Sequence, residues 1–224
     1  TITNWTDANL VNLTLNGSVA ITTGVSTFNG IGGISGATDD QNVGFTMAGG
    51  GVKTITLGNG ANTIVTGAAA DVITLGTGIN DVNAAAGADK VTFGADTNAD
   101  TYRLKAAAGA GGLDTGTFAV PGTNTISTTA FDIVTGLSAG DKIQLLATAY
   151  TGIAGAAAGL IANGNAYTSD SAVALVDNGI EIVRGTYDST AKTFVGSATG
   201  ADSLFIYDAD ATIGSEAHEA IVAV

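Results

Sequence analysis

The sequence predicts an all-β chain centred on a parallel β-solenoid, and three observations predict it. A large β-branched residue returns at every ninth position from Ile55 to Val91, and glycine fills two other fixed places in most units. The composition sets 33 Gly beside one Pro, with 45% hydrophobic residues and only 12% charged ones. An internal period is the strongest fold signal that one sequence carries. A nonapeptide leaves room for one short strand and one tight turn.

The frame that starts at Ala48 makes this concrete. Its eighth position reads Ile55, Ile64, Ile73, Val82 and Val91. Such a residue between two small polar ones gives a strand with a single inward side chain, which suits a narrow interior. The second position reads Gly49, Gly58, Gly67, Gly76 and Ala85, and the fourth reads Gly51, Gly60, Ala69, Gly78 and Gly87. These small residues are expected to supply the backbone freedom for a turn after every strand. Two consecutive nonapeptides, one strand on each side, then make one layer, and successive layers stack in parallel. The frame fades after Phe93-Gly94, where Asp100 stands in place of the apolar eighth residue.

The sixth position carries the polar chemistry: Lys53, Asn62, Asp71, Asn80 and Asp89. Every second unit shares a side, so Lys53, Asp71 and Asp89 form one column and Asn62, Asn80 and Asn98 the other. The Asp column suits a hard cation, which prefers anionic and carbonyl oxygens. Lys53 caps that column electrostatically. Side chains of the Asn column can bond one another between layers without an ion. The bland alternative is that Asp71 and Asp89 satisfy turn amides.

The flanks are less regular. Residues 1–47 hold short alternating runs at 12–17 and 18–24, each ending at Asn or Gly, and read as irregular solenoid layers. Asp39-Asp40 reads as a solvated turn or an ion site. Residues 48–100 form the repeat region, and residues 101–224 form a more antiparallel β region. In that last part strands are expected at 131–134, 141–146, 172–176, 180–183, 192–195 and 203–207, with a short helix over 153–160.

These units resemble the hemolysin-type calcium-binding repeat (RTX) family, whose unit is Gly-Gly-x-Gly-x-Asp-x-U-x with U a large apolar residue. The first Gly of that unit is replaced here by Ala48, Leu57, Thr66, Leu75 and Ala84. The resemblance implies a parallel β-roll with Ca2+ between turns, held by Asp71 and Asp89 and by turn carbonyls such as those of Gly67 and Gly87. Two further segments are similar to the C-terminal part of such proteins. Phe131-Asp-Ile-Val-Thr-Gly-Leu-Ser-Ala-Gly-Asp-Lys-Ile-Gln-Leu145 is similar to the segment that closes the roll, and residues 200–210 with 219–222 to the last strands. Asp132, Asp141, Asp208 and Asp210 are the ligand candidates there. Leu137 and Gln144 stand where the family pattern has Phe and Asp.

Other chemistry finds little support. Twenty Asp plus Glu against seven Lys plus Arg give a net charge of −13, which repels a nucleic-acid backbone. One His and no Cys cannot supply the usual zinc ligands. Gly136-Leu-Ser138-Ala-Gly140 matches the nucleophile-elbow string, yet a strand rather than a helix is expected after it. No apolar run reaches the ~18 residues of a membrane span. The opening Thr1-Ile2-Thr3-Asn4 suggests a part of a longer chain.

The chain is therefore expected to be no enzyme but a secreted structural protein of the bacterial cell surface. The most specific expectation is a surface-layer (S-layer) or sheath subunit, and the resemblance implies export by type I secretion. It would be folded and cross-linked by calcium, assemble with itself into a lattice, and meet cell-surface polysaccharide. The alternatives are a non-catalytic RTX carrier of a secreted enzyme and an adhesin module.

Overall fold

A computed structural model describes residues 12–14, 26–27, 33–36, 43–46, 51–104, 125–145, 148–151, 166–167, 180–197, 199–208 and 218–224. The described residues are all-β. They contain no helix, and so none long and apolar enough to cross a membrane. The expected helix over 153–160 and the expected strands at 18–24 and 172–176 lie outside them, as do Asp39, Asp40 and Asp210.

The first ten strands are β1 (Asn12–Thr14), β2 (Ser26–Thr27), β3 (Gly33–Gly36), β4 (Val43–Thr46), β5 (Thr54–Leu57), β6 (Asn62–Val65), β7 (Val72–Thr74), β8 (Asp81–Asn83), β9 (Lys90–Thr92) and β10 (Thr101–Leu104). They are dealt alternately to two sheets. Odd strands pair in parallel in the order β1-β3-β5-β7-β9, and even strands in the order β2-β4-β6-β8-β10. Two successive strands, one from each sheet, make one layer.

Register follows the nonapeptide frame. Ile55 lies beside Ile73 and Ile73 beside Val91 in one sheet, while Ile64 lies beside Val82 in the other. All five are buried, and Leu57, Leu75, Ala84 and Phe93 from the first position join them in one core cluster. Stacking like on like is what a parallel in-register sheet requires of a repeat.

The frame does not end at Phe93. Tyr102 pairs with Val82 and is fully buried, so it takes the apolar place that the unbroken period assigns to Asp100. The layer is longer here. Thr63 pairs with Asp81 exactly two nonapeptides on, whereas Asp81 pairs with Thr101, two positions beyond that count. The extra residues sit in the turn and shift the register, and a fixed count of nine misses the shift.

The second half contributes β11 (Thr125–Ser127), β12 (Asp132–Thr135), β13 (Lys142–Leu145), β14 (Thr148–Thr151), β15 (Ala166–Tyr167), β16 (Ile180–Asp188), β17 (Thr193–Gly196), β18 (Asp202–Asp208) and β19 (His218–Ala223). β12 continues the odd sheet by pairing in parallel with β9, and β13 continues the even sheet by pairing with β10. Val134 and Ile143 extend the two core columns. Beyond them pairing turns largely antiparallel: β14 on β13, and β19, β18, β16 and β17 in succession. A second core cluster of Phe131, Ile133, Val183, Phe194, Leu204 and Val222 fills that region.

The turn glycines have a different task from the one expected of most of them. A Cβ on Gly78 would overlap the Gly60 carbonyl oxygen, and one on Gly76 would lie 2.7 Å from that of Gly58. Close approach of successive turns therefore demands glycine there. Gly87 adds a positive φ of 131°, and Ala85 takes φ 63° at the second position where other units have Gly.

Gly78→Ala is expected to destabilise the fold by about 1–3 kcal/mol through this backbone clash. Gly140→Ala, with nothing within 4 Å of the new methyl, provides the comparison and should lie near neutral. Denaturation midpoints of the two variants check both statements.

Candidate functional site

The sixth-position side chains stand at the mouth of each strand, where the chain enters one sheet from the turn. Lys53, Asp71 and Asp89 immediately precede β5, β7 and β9, and Asp132 opens β12. All four are buried, at 0–2% exposure. Each carboxylate reaches back one layer to a main-chain amide. Lys53 N donates to Asp71 Oδ1 at 2.6 Å, Asp71 N to Asp89 Oδ1 at 2.6 Å, and Asp89 N to Asp132 Oδ1 at 2.9 Å.

Both ends of this column are closed by the protein. The Lys53 ammonium donates to the Gly51 carbonyl in its own turn and acts on Asp71 by charge. At the far end the Tyr102 hydroxyl donates to Asp132 Oδ2 across the space between the sheets.

The second column is Asn62, Asn80, Asp100 and Asp141, again 0–1% exposed. Asn62 Nδ2 donates to Asn80 Oδ1 at 2.8 Å, forming the expected amide ladder. Each amide also binds its own turn. Asn62 Nδ2 donates to Gly60 O at 2.7 Å, and Asn80 Nδ2 donates to Gly78 O at 2.6 Å. Asn98 does not join this column. It is exposed, with Nδ2 donating to Thr77 O at 2.5 Å, because the longer turn moves Asp100 into its place.

Asp100 N donates to Asp141 Oδ1 at 2.7 Å, so Asp141 belongs here rather than beside Asp132. Asp100 is a site residue that the nine-residue frame does not identify, although the apolar Tyr102 two positions later carries the signal that the frame has slipped. Gly67 and Gly87 sit in the turns of the Asp column, where their carbonyls accept Ala69 N and Asp89 N at 3.1 Å. Asp208 pairs with His218 between β18 and β19, far along the antiparallel region.

Burial dominates the electrostatics. It pushes the Asp71 carboxyl above the usual range, against the lowering effect of the Thr66 hydroxyl, the Lys53 amide and the Lys53 charge. The one proton of the Thr66 hydroxyl is donated to Ala84 O at 2.9 Å. Asp100 is raised to about 6, by burial first and then by the nearby Asp141 and Asp96 charges, against two hydrogen bonds from Asn80.

The donor set fits a hard cation. Asp71 Oδ2 is a buried oxygen with no hydrogen-bond partner among the described residues, and carboxylates with main-chain carbonyls are what calcium prefers. No three His, Cys, Asp or Glu side chains converge as a metal group among the described residues.

The elbow-like string Gly136-Leu-Ser138-Ala-Gly140 lies between β12 and β13, so a strand follows it. Its Ser138 N donates to Asp141 Oδ2, and Asp141 N returns a bond to Ser138 O at 3.0 Å. These contacts shape the turn that presents Asp141.

Comparison of the chain with protein-family models, with curated proteins and with solved structures finds no match.

A carboxyl whose folded pKa lies above its unfolded one stabilises the fold while protonated. That contribution fades as pH rises through the folded value. With divalent ions chelated, the protein is therefore expected to lose stability between pH 4 and 7, with Asp100 contributing about 1–2 kcal/mol. Thermal midpoints across this range should flatten in Asp100→Asn, and an unchanged slope would refute the assignment.

Proposed function

We propose that the chain is a structural, self-assembling subunit of a bacterial surface layer or sheath, secreted and then folded as a calcium-stabilised β-roll. One observation carries this reading. A column of fully buried aspartates, Asp71 and Asp89 among them, runs along a two-sheet parallel stack whose layers advance by two nonapeptides at a time. Burying carboxylates in such a column is costly unless positive charge accompanies them.

Bound calcium supplies that charge together with a preference for oxygen ligands. Asp71 and Asp89 would hold it, with the carbonyls of turns that contain Gly67 and Gly87. In a compartment poor in calcium these carboxylates repel one another and the stack is held back. Outside the cell their neutralisation couples folding to ion binding, since the folded chain presents the ligands together.

Several features favour a surface subunit. The charge of −13 offers acidic faces that calcium can bridge between copies, and between the protein and acidic cell-surface polysaccharide. Parallel sheets of short polar strands also present regular surfaces for lateral packing. Val72 at 40% and Ile79 at 58% exposure add apolar contacts to those surfaces.

Calcium added to chelated protein is expected to raise the thermal midpoint by about 5–10 °C at saturating ion. Asp71→Asn/Asp89→Asn keeps the amide acceptors and should blunt that rise. Electron microscopy of the calcium-loaded protein should reveal sheets or tubes. An identical midpoint in chelator and in millimolar calcium, or monodisperse particles at high concentration, would overturn the proposal.

A further inference from the structure

We propose that the outer face of the even sheet carries a binding groove for a neutral polysaccharide, centred on Asp81, Asn83, Arg103 and Gln144. The groove rests on the cell-surface reading above only for the source of the sugar, and it involves neither the buried columns nor calcium.

The groove follows from side-chain length. Ile64, Val82, Tyr102 and Ile143 face the core, so the residues on either side of them face outward. Strand pairing sets Val65, Asn83, Arg103 and Gln144 side by side in one outward row, which spans about 14 Å at the spacing of neighbouring strands. Thr63 and Asp81 are partners in the row beside it. On β6 the outward side chains are the short Thr63 and Val65, and on β4 Gly44 lies next to Thr63. Longer polar groups from β8, β10 and β13 therefore rise beside a low floor. Thr63, Val65, Asp81, Asn83, Arg103 and Gln144 line the resulting groove of about 350 Å3, at the small end of ligand-binding clefts.

Its polar groups are held in place before any ligand arrives. Arg103 donates from Nε to Asp81 Oδ1 at 2.5 Å, from Nη2 to Asp81 Oδ2 at 2.6 Å, and from Nη1 to Gln144 Oε1. Asn83 Oδ1 accepts Ala85 N at 3.1 Å, which fixes the side chain and leaves Nδ2 as its donor. The Arg103 and Asp81 side chains nevertheless keep 37% and 35% of their surface exposed. Planar groups locked in this way and still open to solvent lose little freedom when a ligand binds.

The pattern of donors and acceptors selects a neutral polyhydroxyl ligand. A sugar hydroxyl both donates and accepts. Each Asp81 oxygen has lone-pair capacity beyond its bond from Arg103, and Arg103 has N–H groups beyond the three bonds it makes. Asp81 can thus accept from one hydroxyl while Arg103 and Asn83 donate to its neighbour on the ring. Because Asp81 and Arg103 neutralise each other, an anion finds no unpaired cation in the pair, and the net charge of −13 opposes its approach. Val65 and the Thr63 methyl give the floor an apolar strip for the C–H face of a sugar ring. None of the residues that line the groove is aromatic, so a single groove holds its ligand weakly. Many copies bound along one polymer would offset that through avidity.

Native electrophoresis of the full chain through gels that contain dextran, mannan or hyaluronate tests the assignment. Retardation by at least one of the two neutral polymers is expected, and none by the acidic hyaluronate. Thr63→Gln, at an exposed position, fills the groove without changing charge, and Asp81→Asn removes the charged acceptor. Each should weaken the retardation about tenfold. The thermal midpoint of Thr63→Gln should match that of the unaltered chain, so the test stands even where Asp81→Asn fails to fold.

Unaltered migration in both neutral polymers overturns the inference, as does retardation by hyaluronate alone or retardation that Thr63→Gln leaves unchanged. Retardation that Thr63→Gln abolishes, in a protein that forms neither sheets nor tubes with calcium, instead refutes the surface-layer reading and leaves the groove standing.

Discussion

Parallel in-register stacking is the constraint on which everything else in this molecule depends. It places each side chain directly beside its counterpart in the next layer, about 4.8 Å away. For Ile55, Ile73, Val91 and Val134 this is favourable, since like apolar groups pack into a continuous core. For ionisable groups the same rule is punishing, because an Asp at the sixth position must face another Asp. The structure answers by giving each carboxylate a main-chain amide from the neighbouring layer. Hydrogen bonds of this kind favour the charged form, but burial outweighs them at Asp71 and Asp100.

The two columns solve that problem differently. Amide groups at Asn62 and Asn80 both donate and accept, so they link layer to layer and hold their own turns without net charge. Carboxylates can only accept, so the Asp column needs partners from outside its own kind. Lys53 and the Tyr102 hydroxyl are such partners at its two ends. On the outer face of the even sheet the same logic is visible with solvent present. Arg103 there bridges Asp81 on one neighbouring strand and Gln144 on the other, neutralising the Asp81 carboxylate.

Much of this is legible in the sequence, and the failures have physical causes. The core columns from Ile55 to Val91 and the amide ladder of Asn62 and Asn80 follow from period and residue type alone. Asp71 and Asp89 are identifiable as one column for the same reason. The period misplaces Asn98 and Asp100 because a turn can absorb two residues while the strands keep their pairing, and counting cannot detect that. Turn conformation is the obvious explanation for the glycines, yet at Gly76 and Gly78 the cause is backbone contact with the turn one layer away. The hydrogen bond from Tyr102 to Asp132 joins two sheets across a long intervening segment. No local pattern encodes it.

The alternation of unlike first-position residues has a consequence for how such a chain can change over time. Leu57, Leu75 and Phe93 recur on one side, and Thr66 with Ala84 on the other, so adjacent nonapeptides are not interchangeable. Duplication or loss of two consecutive nonapeptides would return every strand to its own sheet with its partners intact. An event of a single nonapeptide would set Leu over Thr and Asn over Asp throughout the stack. The unit of heritable length variation in this protein is thus the pair of repeats, and genetic drift in repeat number should be counted in twos.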